Sequence, residues 1–86
     1  MPEISRFLGI IISLYFDDHN PPHIHADYNE YGALISINDL SLLRSDMPPR
    51  ALGFVIEWMQ LHRDELLENW NMIQNTGKYF KIEPLT

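Results

Sequence analysis

His23-Ile24-His25-Ala26-Asp27-Tyr28-Asn29-Glu30-Tyr31-Gly32-Ala33-Leu34-Ile35-Ser36-Ile37 decides how the rest of the chain is read. Its first six residues alternate with a period of two. Ile24, Ala26 and Tyr28 fall on one face, and His23, His25 and Asp27 on the other. Asn29-Glu30 is a short polar connection, and Tyr31 to Ile37 resumes the alternation, with Ala33, Ile35 and Ile37 apolar and Leu34 and Ser36 on the histidine face. The stretch therefore predicts a β-hairpin whose apolar face belongs to a core.

Upstream, Ile10 to Phe16 is β-branched and aromatic and predicts a further strand. Ile10, Ile12, Leu14 and Phe16 are expected in the core, with Ile11, Ser13 and Tyr15 on the other side. Ile4 to Phe7 predicts a short strand leading into a bend or bulge at Gly9. Asp17 to Pro22 is a loop, because Asp, Asn and successive prolines form turns. The Asn20-Pro21 and Pro21-Pro22 bonds are the places to look for a cis peptide, trans being the favoured state of both. Downstream, Asn38-Asp39 makes a turn and Leu40 to Arg44 a short strand. Short connections between successive strands imply an antiparallel meander.

The period changes after Ser45-Asp46-Met47-Pro48-Pro49. Ser45 or Asp46 is expected to cap a helix, and prolines suit a first helical turn. Leu52, Val55, Met59, His62, Leu66, Trp70 and Ile73 step by three or four, and Phe54, Trp58 and Leu61 widen that stripe. An unbroken helix from Pro49 to Asn75 would run about 40 Å, roughly twice the length of the sheet beneath it. A kink or break is therefore expected near His62 to Asp64, with Gly77 as the final stop. Trp58 and Trp70 read as core, His62 as a hydrogen-bonded, half-buried residue, and Glu57, Glu65 and Glu68 as a solvated helix face. Tyr79 to Ile82 has strand character and offers an edge strand. The expected fold class is α+β: an antiparallel meander of four to five strands with a C-terminal helical segment, one long kinked helix or two helices, packed on one face. Residues 1–86 read as a single domain.

Composition narrows the function. Six Lys+Arg face twelve Asp+Glu, a formal net charge of −6. Nucleic-acid coating depends on basic side chains neutralising phosphates, so RNA is disfavoured as a general ligand. A basic protein partner suits this charge, and a small basic pocket stays open should Arg6, Arg44 and Arg50 converge. Cysteine is absent, which removes disulfides and thiolate metal sites and fits a cytoplasmic protein. No apolar run reaches the roughly 18 residues of a membrane span, and the N-terminus lacks a secretory pattern.

The chemistry-bearing residues crowd into Asp17-Asp18-His19-Asn20-Pro21-Pro22-His23-Ile24-His25-Ala26-Asp27. Three of the chain's four histidines lie in seven residues, among three aspartates. His-x-His on a strand aims two imidazoles to one side. Three readings remain open. Asp18, His19, His23, His25 and Asp27 are candidate ligands for a divalent transition metal, since imidazole and carboxylate suit zinc, nickel, iron or manganese. Alternatively, His23, His25 and His19 act as acid and base, with Arg6 or Arg50 stabilising a phosphate-like charge, as RNA cleavage would require. The third reading is structural: His19 and the aspartates cap a turn, and His23 and His25 lie on a solvated sheet face. Gly-rich phosphate loops, nucleophile elbows and His-Glu-x-x-His helices are absent from the sequence.

These residues also carry a resemblance. Met1-Pro2-x-Ile4-x-Arg6-Phe7, Gly9-Ile10-x-Ile12, Tyr15-Phe16-x-Asp18-His19-x-Pro21-Pro22-His23-x-His25, Pro48-x-Arg50-Ala51-Leu52, Glu57-Trp58-x-x-x-His62 and Lys81-Ile82-x-Pro84-Leu85 together resemble a widespread bacterial domain-of-unknown-function family of small proteins. The resemblance spans nearly the whole chain, and its Asp-His-x-Pro-Pro-His-x-His core is specific. Members are often encoded beside a second small protein, so the resemblance implies the partner-binding component of a two-gene, toxin–antitoxin-like system. It transfers no catalytic residues. Family members often carry a basic residue or a glutamate near the position of Asp27, where this chain departs. The alternatives are a histidine-dependent ribonuclease, a metal-dependent hydrolase, and a plain interaction module or homodimer using an edge strand.

Overall fold

The computed structural model describes residues 2–16 and 19–85. Five strands come first: β1 (Glu3–Phe7), β2 (Ile10–Ser13), β3 (His23–Tyr28), β4 (Tyr31–Ser36) and β5 (Leu42–Ser45). Two helices follow, α1 (Pro49–Leu61) and α2 (Arg63–Thr76). The strands form one antiparallel sheet in the order β1-β2-β3-β4-β5, so chain order and sheet order coincide. The expected α+β meander with two helices is what the chain adopts.

Register explains the core. Ile10 faces Tyr28, Ile12 faces Ala26, Ala26 faces Ala33, and Ile24 faces Ile35. These side chains share the face that α1 and α2 cover, where Val55, Trp58, Met59, Leu66 and Ile73 are buried against them. Fully burying one such aliphatic side chain stabilises the fold by roughly 1.5–3 kcal/mol. The helical stripe breaks at His62, whose backbone (φ −124°, ψ 22°) ends α1 and starts α2. The Arg63 Nε–H donates to the Ile37 carbonyl (3.2 Å), pinning this corner to the end of the sheet. Gly77 stops α2 in the left-handed conformation (φ 76°), as expected.

Four local expectations are corrected. Phe16 is 61% exposed rather than buried, because β2 ends at Ser13 and the alternation lapses beyond it. Ser45 and Asp46 do not cap α1, whose N-cap is Pro48 without a side-chain hydrogen bond. Ser45 Oγ instead accepts from the Met47 N–H (3.3 Å), and Asp46 Oδ1 from the Gly32 N–H (2.8 Å), so both hold the approach to the helix against the sheet. The Asn20–Pro21 peptide is cis, the tertiary amide before proline having only a small trans preference. The tail after Gly77 forms no regular strand.

That tail is nonetheless tightly held. The Ile82 N–H donates to the Ile4 carbonyl on the outer side of β1 (2.8 Å). Asn69, fully buried, donates through Nδ2 to the Phe80 carbonyl (2.8 Å) and accepts the Phe80 N–H at Oδ1 (3.2 Å). The Trp58 indole N–H donates to the Glu83 carbonyl (2.8 Å). These part-buried bonds pair the Asn69 amide and the Trp58 indole, which would otherwise carry a desolvation cost.

Candidate functional site

His23 opens β3 and is only 6% exposed. The expectation of two histidines on a solvated face fails at this residue, because α2 passes the end of the sheet and lays Trp70 against it. The His23 and Trp70 ring centroids are 5.4 Å apart. His25, two residues along the same face, is half-buried, with its ring 5.2 Å from that of His23. Tyr15 meets His25 edge-on at 4.2 Å. Tyr15, His25, His23 and Trp70 thus form a continuous row of four rings.

The row is fixed at two points, His23 and Tyr15. His23 Nδ1 lies 2.7 Å from the Pro21 carbonyl. A carbonyl only accepts, so Nδ1 carries the proton in this contact. The Gln74 side-chain amide donates to the Tyr15 carbonyl (3.0 Å), one helical turn beyond Trp70. Trp70 and Gln74 are functional-site neighbours that the sequence reading missed. Their i, i+4 spacing was visible, but nothing in it indicates which strand residue they meet. Ser13, directly across β2 from His25, is fully buried, and its Oγ has no hydrogen-bond partner among the described residues.

Asp27 and the arginines stand apart from this row. His19 is exposed in the loop before the prolines, and Asp18 lies outside the described residues. Asp27 shares the face of His25 but stands four residues from His23, about 13 Å along the strand at ~3.3 Å per residue. It borders an open groove of about 580 Å³ with Glu30, Gly32, Arg44 and Asp46. Among the described residues no three His, Asp or Glu side chains come together in a way that could hold a metal ion.

The arginines do not converge. Arg6 pairs with Glu3 through Nη2 (2.7 Å) and Nε (3.2 Å). The hydrogen bond to Arg6 holds the Glu3 carboxyl below its ordinary pKa, and the same bond raises that of Arg6. Arg44 lies on β5, across Leu34 from His25, at the other edge of the sheet from Arg6. Arg50 sits on α1 over the ring of Phe54, 5.8 Å from its centroid, and lines a cleft on the core side of the sheet with Ile10 and Tyr28. Neither Arg6 nor Arg50 is brought to the histidines. His62 matches its expected role: Nδ1 is 2.6 Å from Glu65 Oε1, and its ring rests 5.4 Å from that of Trp58.

A family described as "Domain of unknown function (DUF4160)" matches residues 9–71. The chain belongs to that family. The match runs from the β1–β2 turn through Trp70, so the row of four rings lies wholly within this DUF4160 domain. No curated protein and no solved structure matches the chain. Among the described residues, no helix is long and apolar enough to cross a membrane.

Proposed function

We propose that this domain is the partner-binding component of a two-protein, toxin–antitoxin-like pair, and that it docks a basic partner along β5. The observation that carries this reading is the state of that strand. All four residues of β5 are exposed, Leu42 at 49% and Leu43 at 46%, and among the described residues no strand pairs with its outer side. An unpaired edge bearing apolar side chains is a ready template for strand addition. The net charge of −6 favours a basic partner and speeds its approach.

The test is co-expression with the product of the adjacent gene, followed by copurification. The complex is expected with the native chain and lost on combining Leu42→Lys with Leu43→Lys, with the circular dichroism of the domain unchanged. A complex that survives both lysines removes β5 from the interface. Sedimentation of the isolated domain separates this outcome from a β5-mediated homodimer.

A second reading, histidine-dependent cleavage of RNA, is favoured by one observation: the half-buried His25 ring sits against a His23 whose tautomer is set by Pro21. Expression of the domain alone would then arrest growth, and His25→Ala would relieve the arrest without unfolding the chain. Arrest that persists in His25→Ala takes this histidine out of the mechanism.

A further inference from the structure

The end of the sheet away from the histidines holds a cleft of about 310 Å³, lined by Leu8, Ile10, Tyr28, Pro48, Arg50, Ala51 and Phe54. Its wall begins at the two-residue connection between β1 and β2. Leu8 (φ 52°) and Gly9 (φ 79°) both have positive φ, the requirement of the hairpin turn that Asn, Asp and Gly fit best. The Tyr28 ring lies against this turn, since a Cβ placed on Gly9 would be 3.5 Å from Tyr28 Cε1. Leu8 is therefore an apolar side chain on a backbone that disfavours it, and it is 58% exposed. Folding does not account for that choice, whereas an apolar wall for a ligand does.

The cleft also holds an uncommitted cation. Arg50 is exposed and makes no ion pair among the described residues. Its guanidinium lies over Phe54 at the rim. Arginine matches a carboxylate with two parallel N–H donors.

We propose that this cleft binds a small carboxylate with an apolar body, the body between Leu8, Tyr28 and Phe54 and the carboxylate on Arg50. The volume sits at the lower end of the roughly 300–1,000 Å³ of small-molecule sites. At roughly 30 Å³ per heavy atom, the share of a water molecule in the liquid, it admits about ten such atoms. The proposal is independent of the β5 interface and of the histidines.

The test uses the full-length ¹⁵N-labelled chain and two probes that fit this volume, phenylacetate and phenylacetamide, which share a body and differ in charge. Saturable amide shifts are expected at Leu8, Gly9, Tyr28, Ala51 and Phe54, with the amide binding at least about tenfold more weakly. Arg50→Gln should erase that preference. Leu8→Asn suits the turn, so it should weaken both probes at least about threefold while Tm holds or rises. Absence of saturable shifts up to about 10 mM phenylacetate, an affinity floor weaker than the ~1 mM expected of so small a ligand, overturns the proposal. Shifts centred on the histidine loop, or equal binding of the two probes, overturn it as well.

Discussion

The two outer strands of the sheet have opposite fates. On β1, Ile4 is fully buried and its carbonyl is taken by Ile82 of the tail. On β5 every residue is exposed, and among the described residues its outer side pairs with no strand. A sheet edge invites pairing with another chain unless something covers it. At β1 the chain supplies its own cover, held by Asn69 and Trp58 through main-chain atoms of Phe80 and Glu83. At β5 the described residues supply none, and two leucines stand exposed there. The difference teaches that the closed edge is part of the fold, whereas the open edge is the one to which the proposed partner is assigned.

The sharpest way to break the comparison is to loosen the cover. Ile82→Ala leaves a cavity under the tail and should cost about 2–4 kcal/mol in urea unfolding. A loss under about 1 kcal/mol would mean that the tail merely rests on β1. Asn69→Leu keeps the volume and removes both hydrogen bonds to Phe80, leaving a main-chain donor and acceptor unsatisfied. We expect a loss of about 1–3 kcal/mol, with faster amide exchange at Phe80 and Ile82. Exchange that stays slow at Ile82 would show that the clamp does not govern the tail.

This closed edge is also where sequence reading ran out. The meander, the helix break at His62 and the stop at Gly77 were legible, because period, turn chemistry and length all act locally. The edge strand expected at Tyr79 to Ile82 does not form, and nothing in the pattern showed that Asn69 would hold this segment, since a buried amide is recognised only by the main chain it meets. At the candidate site, alternation placed His23 and His25 together on one face. It gave no warning that Trp70 would cover His23 while His25 stayed half-exposed, because helix placement across the sheet end is a tertiary outcome. Arg6 and Arg50 fall far from the histidines for the same reason.

At the open edge the expected effect on stability is small. Leu42→Lys and Leu43→Lys together should change it by less than about 0.5 kcal/mol, because exposed positions away from special features tolerate substitution. Ile4→Lys on the closed edge buries a charge and should prevent folding at ambient temperature. Chemical denaturation of the three variants checks the contrast, and a large loss from the β5 lysines would make Leu42 and Leu43 part of the core after all.

The smallest effect concerns how the chain enters β5. Asp39 Oδ1 accepts the Ser41 N–H (3.1 Å), and the Ser41 carbonyl accepts the Ser36 N–H (2.9 Å), so this turn sets the start of the open edge. Hydrogen bonding from Ser41, with a further contribution from Ser36, holds the Asp39 carboxyl below its ordinary value of 3.8. A carboxyl with a lowered native pKa stabilises the fold fully above its unfolded value, and that contribution fades as pH falls through the native one. The Tm gap between the native chain and Asp39→Ala should therefore be constant at neutral pH and narrow as pH drops from about 5 to about 2.5. The closed edge has its own acid-sensitive carboxyl, Glu3, held down by Arg6, so the measurement is made in parallel on Arg6→Gln. If the Asp39→Ala gap stays constant to the lowest pH, ionisation of Asp39 plays no part in ordering β5, and the turn is held by its main-chain bonds, Ser36 N–H to Ser41 and Leu40 N–H to Ser36.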